Sequence, residues 1–173
     1  MWNAARRSGV DDGVRTLGSA DGPVDVQSFE EFFVESWPWA FRLATLLTHS
    51  PAAGEDIAQD AMVEMSKRWG AADRPGAYLR VSIVNGCHNW SRRNRTAHRK
   101  LPLLITRDRL EAHSDELADA IRRLPFRQRA VVVLRYYVDL SEAEIAETLG
   151  CPLGTVKSAA SRALDALAKE IGS

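Results

Sequence analysis

Asp139-Leu140-Ser141-Glu142-Ala143-Glu144-Ile145-Ala146-Glu147-Thr148-Leu149-Gly150-Cys151-Pro152-Leu153-Gly154-Thr155-Val156-Lys157-Ser158 is the stretch that decides the fold. Ser141 and Glu144 stand in the Ser-x-x-Glu spacing that satisfies the free N–H groups of a helix start, just ahead of the apolar positions Ile145, Ala146 and Leu149. A short helix is therefore predicted from about Glu142. Gly150 can take the left-handed conformation that ends it, and Pro152, with no N–H to lose, suits the threshold of a second helix. Two helices joined by so short a turn read as a helix-turn-helix.

At 100° per residue from Leu153, Val156, Ala160, Ala163, Leu164, Leu167 and Ile171 gather on one side of the second helix, predicted to pack. Ser158, Ser161, Arg162, Asp165 and Lys169 gather opposite. Hydroxyls and a guanidinium on the N-terminal part of such a helix meet what major-groove readout requires, hydrogen bonding to base edges and phosphates. The same face on an isolated helical hairpin would be an ordinary solvated one. The capped first helix and the short turn tip the balance to DNA binding.

The 173 residues suffice for one or two small domains, and 45% hydrophobic content is that of a globular protein. Formal charge is zero but strongly segregated. Residues 25 to 65 carry one base and eight acids, net −7, whereas residues 66 to 109 carry eleven bases and two acids, net +9. Two different partner surfaces are implied, unless the blocks pair with each other. No apolar run approaches the ~20 residues of a membrane-spanning helix and the N-terminus has no signal-peptide pattern, so a cytoplasmic protein is expected. Cys87 and Cys151 are too few for a metal framework and are expected to be small buried residues, with no cofactor.

Residues 1–26 show no sustained periodicity and are expected to form a mobile tail. From Phe29 the residues Phe29, Phe32, Phe33, Trp37, Phe41, Ala44 and Leu47 recur at helical intervals, predicting a core-facing aromatic stripe that Pro38 kinks or divides. A second helix is predicted from Gly54 or Glu55 to about Trp69, burying Ala58, Met62, Met65 and Trp69 and leaving an acidic flank of Glu55, Asp56, Gln59, Asp60 and Glu64. After a loop over 70–76, a third helix from about Ala77 carries Tyr78, Asn85, Asn89 and Trp90 into the basic run of Arg92, Arg93, Arg95, Arg99 and Lys100. Aromatics and amides beside concentrated cations are what single-stranded nucleic acid asks for, through stacking, base hydrogen bonds and phosphate contacts. Tyr78 and Trp90 in the core with a generic arginine patch is the plainer alternative.

Residues 101–113 fit a linker. Beyond it Leu117, Ala120, Ile121 and Leu124 form a stripe ended by Pro125, and Ala130, Val131, Leu134 and Tyr137 form another leading into the opening motif. Almost no segment alternates at period two, so an all-α fold is expected, with three helices before the linker and four after it. The organisation is thus two small helical domains, 27–100 and 114–173, joined by a short linker.

Leu124-Pro125-Phe126-Arg127-Gln128-Arg129, Leu134-Arg135-Tyr136-Tyr137, Ser141 with Glu144-Ile145-Ala146, Leu149-Gly150, Gly154-Thr155-Val156-Lys157-Ser158 and Arg162-Ala163-Leu164 together resemble the −35-binding domain of extracytoplasmic-function RNA polymerase sigma factors. Glu55-Asp56-Ile57-Ala58-Gln59-Asp60-Ala61 and the helix through Asn85 to Arg93 resemble the family's other domain, so the likeness runs from about Phe29 to Ile171. It implies a protein that binds core RNA polymerase, through the β′ coiled coil and the β flap, and directs it to promoter DNA without catalysing a reaction. It implies that Asp56, Gln59 and Asp60 dock on the β′ coiled coil. The −10 element falls to Tyr78, Asn85, Asn89, Trp90, Arg92, Arg93 and Arg95, with Asn85 beside a flipped base, and the −35 duplex to Thr155, Lys157, Ser158, Ser161 and Arg162. Family members are commonly held inactive by an anti-sigma factor. Departures are Ala159 where many members are basic, Ala160 where many are bulky, Ser66 where an aromatic is common, and a short 70–76 loop.

Two other readings compete. A free-standing regulator would dimerise and bind a palindrome unaided, with half-sites about one helical turn apart, but it needs neither the acidic flank nor the second basic patch. An enzyme using Cys87-His88 as nucleophile and base is disfavoured because adjacent helical residues point about 100° apart.

Overall fold

The computed structural model describes residues 28–98 and 115–171, and every regular element among them is helical. The order is α1 Phe29–Thr48, α2 Pro51–Lys67, α3 Pro75–His98, α4 Asp115–Arg123, α5 Phe126–Tyr136, α6 Glu142–Leu149 and α7 Leu153–Ile171. Three helices precede the 99–114 segment and four follow it, as expected. The tail at 1–26 and the linker at 101–113 lie outside the described residues.

Helix α1 is capped by Ser28, whose hydroxyl accepts from the Glu31 N–H at 3.2 Å, and ends on His49 in the left-handed region at φ 54°. It is not divided at Pro38. The proline removes the hydrogen bond to the Val34 carbonyl, but Pro38 is exposed and Val34 is 72% exposed, so that carbonyl lies on a solvent-facing side where water can satisfy it. Helix α2 starts at Pro51, three residues before the expected Gly54, because Ser50 accepts from the Ala53 N–H at 3.3 Å and Pro51 fills the first helical position. Pro75 likewise opens α3 two residues before Ala77.

Phe32, Leu43 and Leu47 of α1, Met65 of α2, and Leu79 and Ile83 of α3 are fully buried together. Two glycines let these helices cross closely. A Cβ on Gly54 would lie 2.5 Å from Thr45 Oγ1, and one on Gly86 would lie 2.8 Å from Ile57 Cγ2. The aromatic stripe of α1 is only partly core: Phe32 is buried, while Phe33, Trp37 and Phe41 stack in a row along the flank, centroids 5.6 and 6.3 Å apart.

The same apolar core continues into the last four helices through Val131 and Leu134 of α5, Ile145 of α6 and Val156 of α7. A smaller cluster of Ala120, Leu124, Val132, Ala163 and Leu167 ties α4 and α5 to α7. At the seam between the two groups of helices Arg74 pairs with Glu147, Arg80 Nε donates to Thr148 Oγ1 at 3.4 Å, and the His88 and Phe126 rings lie 5.1 Å apart. Arg80 and Thr148 are both buried.

Candidate nucleic-acid interface

The helix pair predicted from Ser141 to Ser158 is present with its local chemistry intact. Ser141 Oγ accepts from the Glu144 N–H at 3.3 Å, and the Ser141 N–H donates to Glu144 Oε2 at 2.7 Å. Gly150 closes α6 in the left-handed region at φ 56°, and the Cys151 N–H reaches back to the Ala146 carbonyl at 3.0 Å. These bonds satisfy groups that would otherwise be stranded at both ends of an eight-residue helix.

The buried stripe of α7 is Val156, Ala159, Ala163 and Leu167. This corrects one expected position, Leu164, and adds one that the wheel left unassigned, Ala159. Leu164 is 45% exposed and Ala159 only 6%, because Ala159 joins the core built with α5 and α6, a side that a single-helix wheel cannot specify. Burial of Ala159 also means that a long cation there would meet the core.

On the other side Lys157, Ser161 and Arg162 are exposed, with Thr155 and Ser158 half-buried. The Ser158 hydroxyl donates to the Thr155 carbonyl at 3.1 Å, so its oxygen is left to act as an acceptor. Lys157 leans toward the start of α6, 3.9 Å from Glu142 Oε2. Arg162 and Ser161 are thus the outward donors nearest the centre of the face.

On α3, Asn85, Asn89, Arg92 and Arg93 are exposed. At 100° per residue Tyr78, Asn85, Asn89 and Arg92 share one face, whereas Trp90, half-buried, stands well round the helix from it. Tyr78 is half-buried with the Arg68 guanidinium 5.5 Å over its ring, a neighbour that the sequence pattern gave no reason to single out. Arg93 Nε donates to the Asn89 carbonyl at 3.4 Å. The Arg95 side chain lies outside the described residues.

A third surface is the outer side of α2, where Asp56, Gln59 and Asp60 are all exposed. Val63, 52% exposed, shares that side by helical spacing and was not anticipated. Glu64 pairs with Lys67 at 2.6 Å, and that hydrogen bond and charge hold its carboxyl below the usual range.

Cys87 is buried, its Sγ 3.8 Å from the Ala44 carbonyl, and burial pushes its thiol up to about 12. Near neutral pH it is therefore a thiol rather than a nucleophilic thiolate. His88 is exposed and turned to Phe126. Cys151 is half-buried and not bonded to Cys87.

Residues 33–97 match the family model described as Sigma-70 region 2, and residues 114–167 match that described as Sigma-70, region 4. The RNA polymerase sigma-E factor of Streptomyces avermitilis is 36% identical over 157 residues, covering 86% of this chain and 88% of that protein. The chain belongs to the extracytoplasmic-function branch of the sigma-70 family. It is a sigma factor that directs promoter-specific initiation of transcription.

The extracytoplasmic-function sigma factor SigM of Mycobacterium tuberculosis is 33% identical over 156 residues, with 86% of this chain and 79% of SigM covered. In fold, this sigma factor is similar to the sigma factor RpoE of Bartonella quintana, solved with the anti-sigma factor NepR. That likeness has a TM-score of 0.70 and 21% identity over 85% of this chain and 98% of the other. Among the described residues no helix is long and apolar enough to cross a membrane.

Proposed function

We propose that this sigma factor divides its work among three separate faces. The outer side of α2, with Asp56, Gln59 and Asp60, docks on the β′ coiled coil of core polymerase, while α4–α7 engage the β flap. The α3 face of Tyr78, Asn85, Asn89 and Arg92, with Trp90, Arg93 and Arg95 near it, melts and holds the −10 element. Flipping a base costs a few kcal/mol of stacking, which an aromatic and two amides beside arginines partly offset. Thr155, Lys157, Ser158, Ser161 and Arg162 hold the −35 duplex in the major groove, Arg162 reading a base and Lys157 a phosphate. The protein works in the cytoplasm, catalyses nothing itself, and is a candidate for restraint by an anti-sigma factor, as RpoE, which it resembles in fold, was solved with the anti-sigma factor NepR.

The observation that carries this reading is that the capped α6–α7 pair and the acidic side of α2 are exposed separately, so one chain offers a DNA face and a protein face at once. Runoff transcription with core polymerase and purified protein tests it: a specific transcript with both, and none with either alone. Tight palindrome binding by the protein alone, with no complex with core polymerase, would instead support the free-standing regulator.

A further inference from the structure

A cavity of about 290 Å³ lies where α6 meets the start of α3. Asp73, Arg74, Tyr78 and Arg80 line it from α3 and the loop before it, and Glu147 and Thr148 line it from α6. The Tyr78 ring also carries the Arg68 guanidinium, 5.5 Å from its centroid. A stacking ring among guanidinium groups is the composition that holds single-stranded nucleic acid. Arg74, however, is engaged: it pairs with the Glu147 carboxylate, the two side chains being 51% and 58% exposed. One residue further along α6, Thr148 Oγ1 accepts from the buried Arg80 Nε at 3.4 Å. Two successive residues of α6 thus hold two arginines beside Tyr78.

A carboxylate and a phosphodiester make the same demand on a guanidinium, since each offers anionic oxygens to its N–H groups. We propose that Arg74 is a phosphate contact for the −10 strand, and that in the free chain Glu147 takes the place of that phosphate, so that α6 covers the −10 face until the strand displaces it. This deepens the promoter reading and rests on it. The exposure of the pair is what makes it exchangeable. An ion pair open to solvent favours the docked α6 by only about two- to fivefold, so a polyanion can replace the carboxylate, whereas a buried pair could not part without stranding a charge.

Reach requires the same displacement. Elements at −35 and −10 lie about 25 base pairs apart, or roughly 85 Å of duplex. The α6–α7 pair cannot stand on the first while α6 touches the helix that holds the second. The sixteen residues 99–114 between α3 and α4 would span up to about 55 Å when extended, enough for the two faces to part.

The test is fluorescence anisotropy of the free full chain with a labelled single-stranded oligonucleotide of random sequence, at ~50–200 mM salt. Glu147→Gln, which frees Arg74 of its carboxylate, should bind about two- to fivefold tighter than the parent chain. Arg74→Gln breaks the same pair but should bind no tighter than the parent, and its plot of log affinity against log salt should be shallower than that of Glu147→Gln by about 0.7. Both side chains are more than half exposed, so both variants should keep the parent's circular dichroism melting curve. In a second readout, single-molecule energy transfer between labels on S66C and A168C in a C151S background, saturating oligonucleotide should enlarge the low-transfer population. Equal tightening by the two substitutions, no tightening by Glu147→Gln, parallel salt plots, or a bound chain with unchanged transfer each overturns the proposal. Runoff transcription by the parent chain with core polymerase separates the two failures. No transcript refutes the promoter reading and the proposal with it, whereas a transcript alongside any of those results refutes only the roles given to Arg74 and Glu147.

Discussion

Replacing Gly54 by alanine should destabilise this protein, although the same change on an open helix would stabilise it. Gly54 sits in the first turn of α2 where that helix crosses α1, and an added Cβ would stand 2.5 Å from Thr45 Oγ1, 2.8 Å from Thr45 N and 2.9 Å from Thr45 Cα. Two of those atoms are backbone, so rotamer adjustment cannot relieve the clash and the two helices must part. Overpacking of this kind costs about 1–3 kcal/mol, against a gain of about 0.8–1 kcal/mol for alanine over glycine in a helix. The net is a loss of up to about 2 kcal/mol, which for a chain of this size lowers Tm by up to roughly 8 °C. Gly154→Ala is the matched comparison, since nothing lies within 4 Å of its would-be Cβ, and it should leave stability unchanged or raise it by up to about 1 kcal/mol. Thermal and urea unfolding followed by circular dichroism measures both. If Gly54→Ala melted at or above the parent temperature, the close crossing would be wrong, and with it the alignment of the acidic side of α2.

Arg162→Ala should weaken −35 discrimination by about 1–3 kcal/mol and relax preference at one base position; an unchanged promoter profile in a selection from random −35 sequences would reduce Arg162 to a phosphate contact or less. Asp56→Arg should impair competition for core polymerase while leaving the melting curve in place, because Asp56 is exposed. Ser141→Ala removes the cap of α6 and should cost about 1 kcal/mol of stability, read as a shifted urea midpoint, with a loss of −35 binding no larger than the extra unfolding explains.

What the sequence made legible was local. The capping pair Ser141 and Glu144, the left-handed Gly150 and the threshold proline each act within four residues, so spacing alone located α6 and α7. Ser50-Pro51 carries the same kind of signal, N-cap followed by proline, and reading it as a plain turn placed the start of α2 three residues late. The exchange of Leu164 for Ala159 on the buried side of α7 has a different origin. Both lie near the edge of the apolar stripe, and the choice belongs to α5 and α6, whose approach no heptad count contains. The seam was least legible. Arg129 reads as one more surface cation between Gln128 and Ala130, yet it is only 7% exposed, its Nη1 held by the Arg122 carbonyl of α4, a partner no local spacing announces.

Charge segregation then takes on a definite sense. If the acidic and basic blocks existed to neutralise each other, Asp56 and Asp60 should be paired, yet neither has an ion-pair partner among the described residues, and both point away from the core. An acid face left unneutralised repels DNA and favours a cationic protein partner. The recognition helix shows the complementary economy: Ala159 is buried, Lys157 leans on Glu142, and Arg162 is left as the cation facing outward near the centre. Because nonspecific affinity grows with the number of phosphates neutralised, so sparse a helix binds duplex weakly by itself. A large partner that supplies the phosphate contacts removes that limit and leaves α7 the narrower task of choosing among sequences. On the proposed reading, weak duplex binding alone and selective binding in complex are therefore expected together, both set by where the cations are missing.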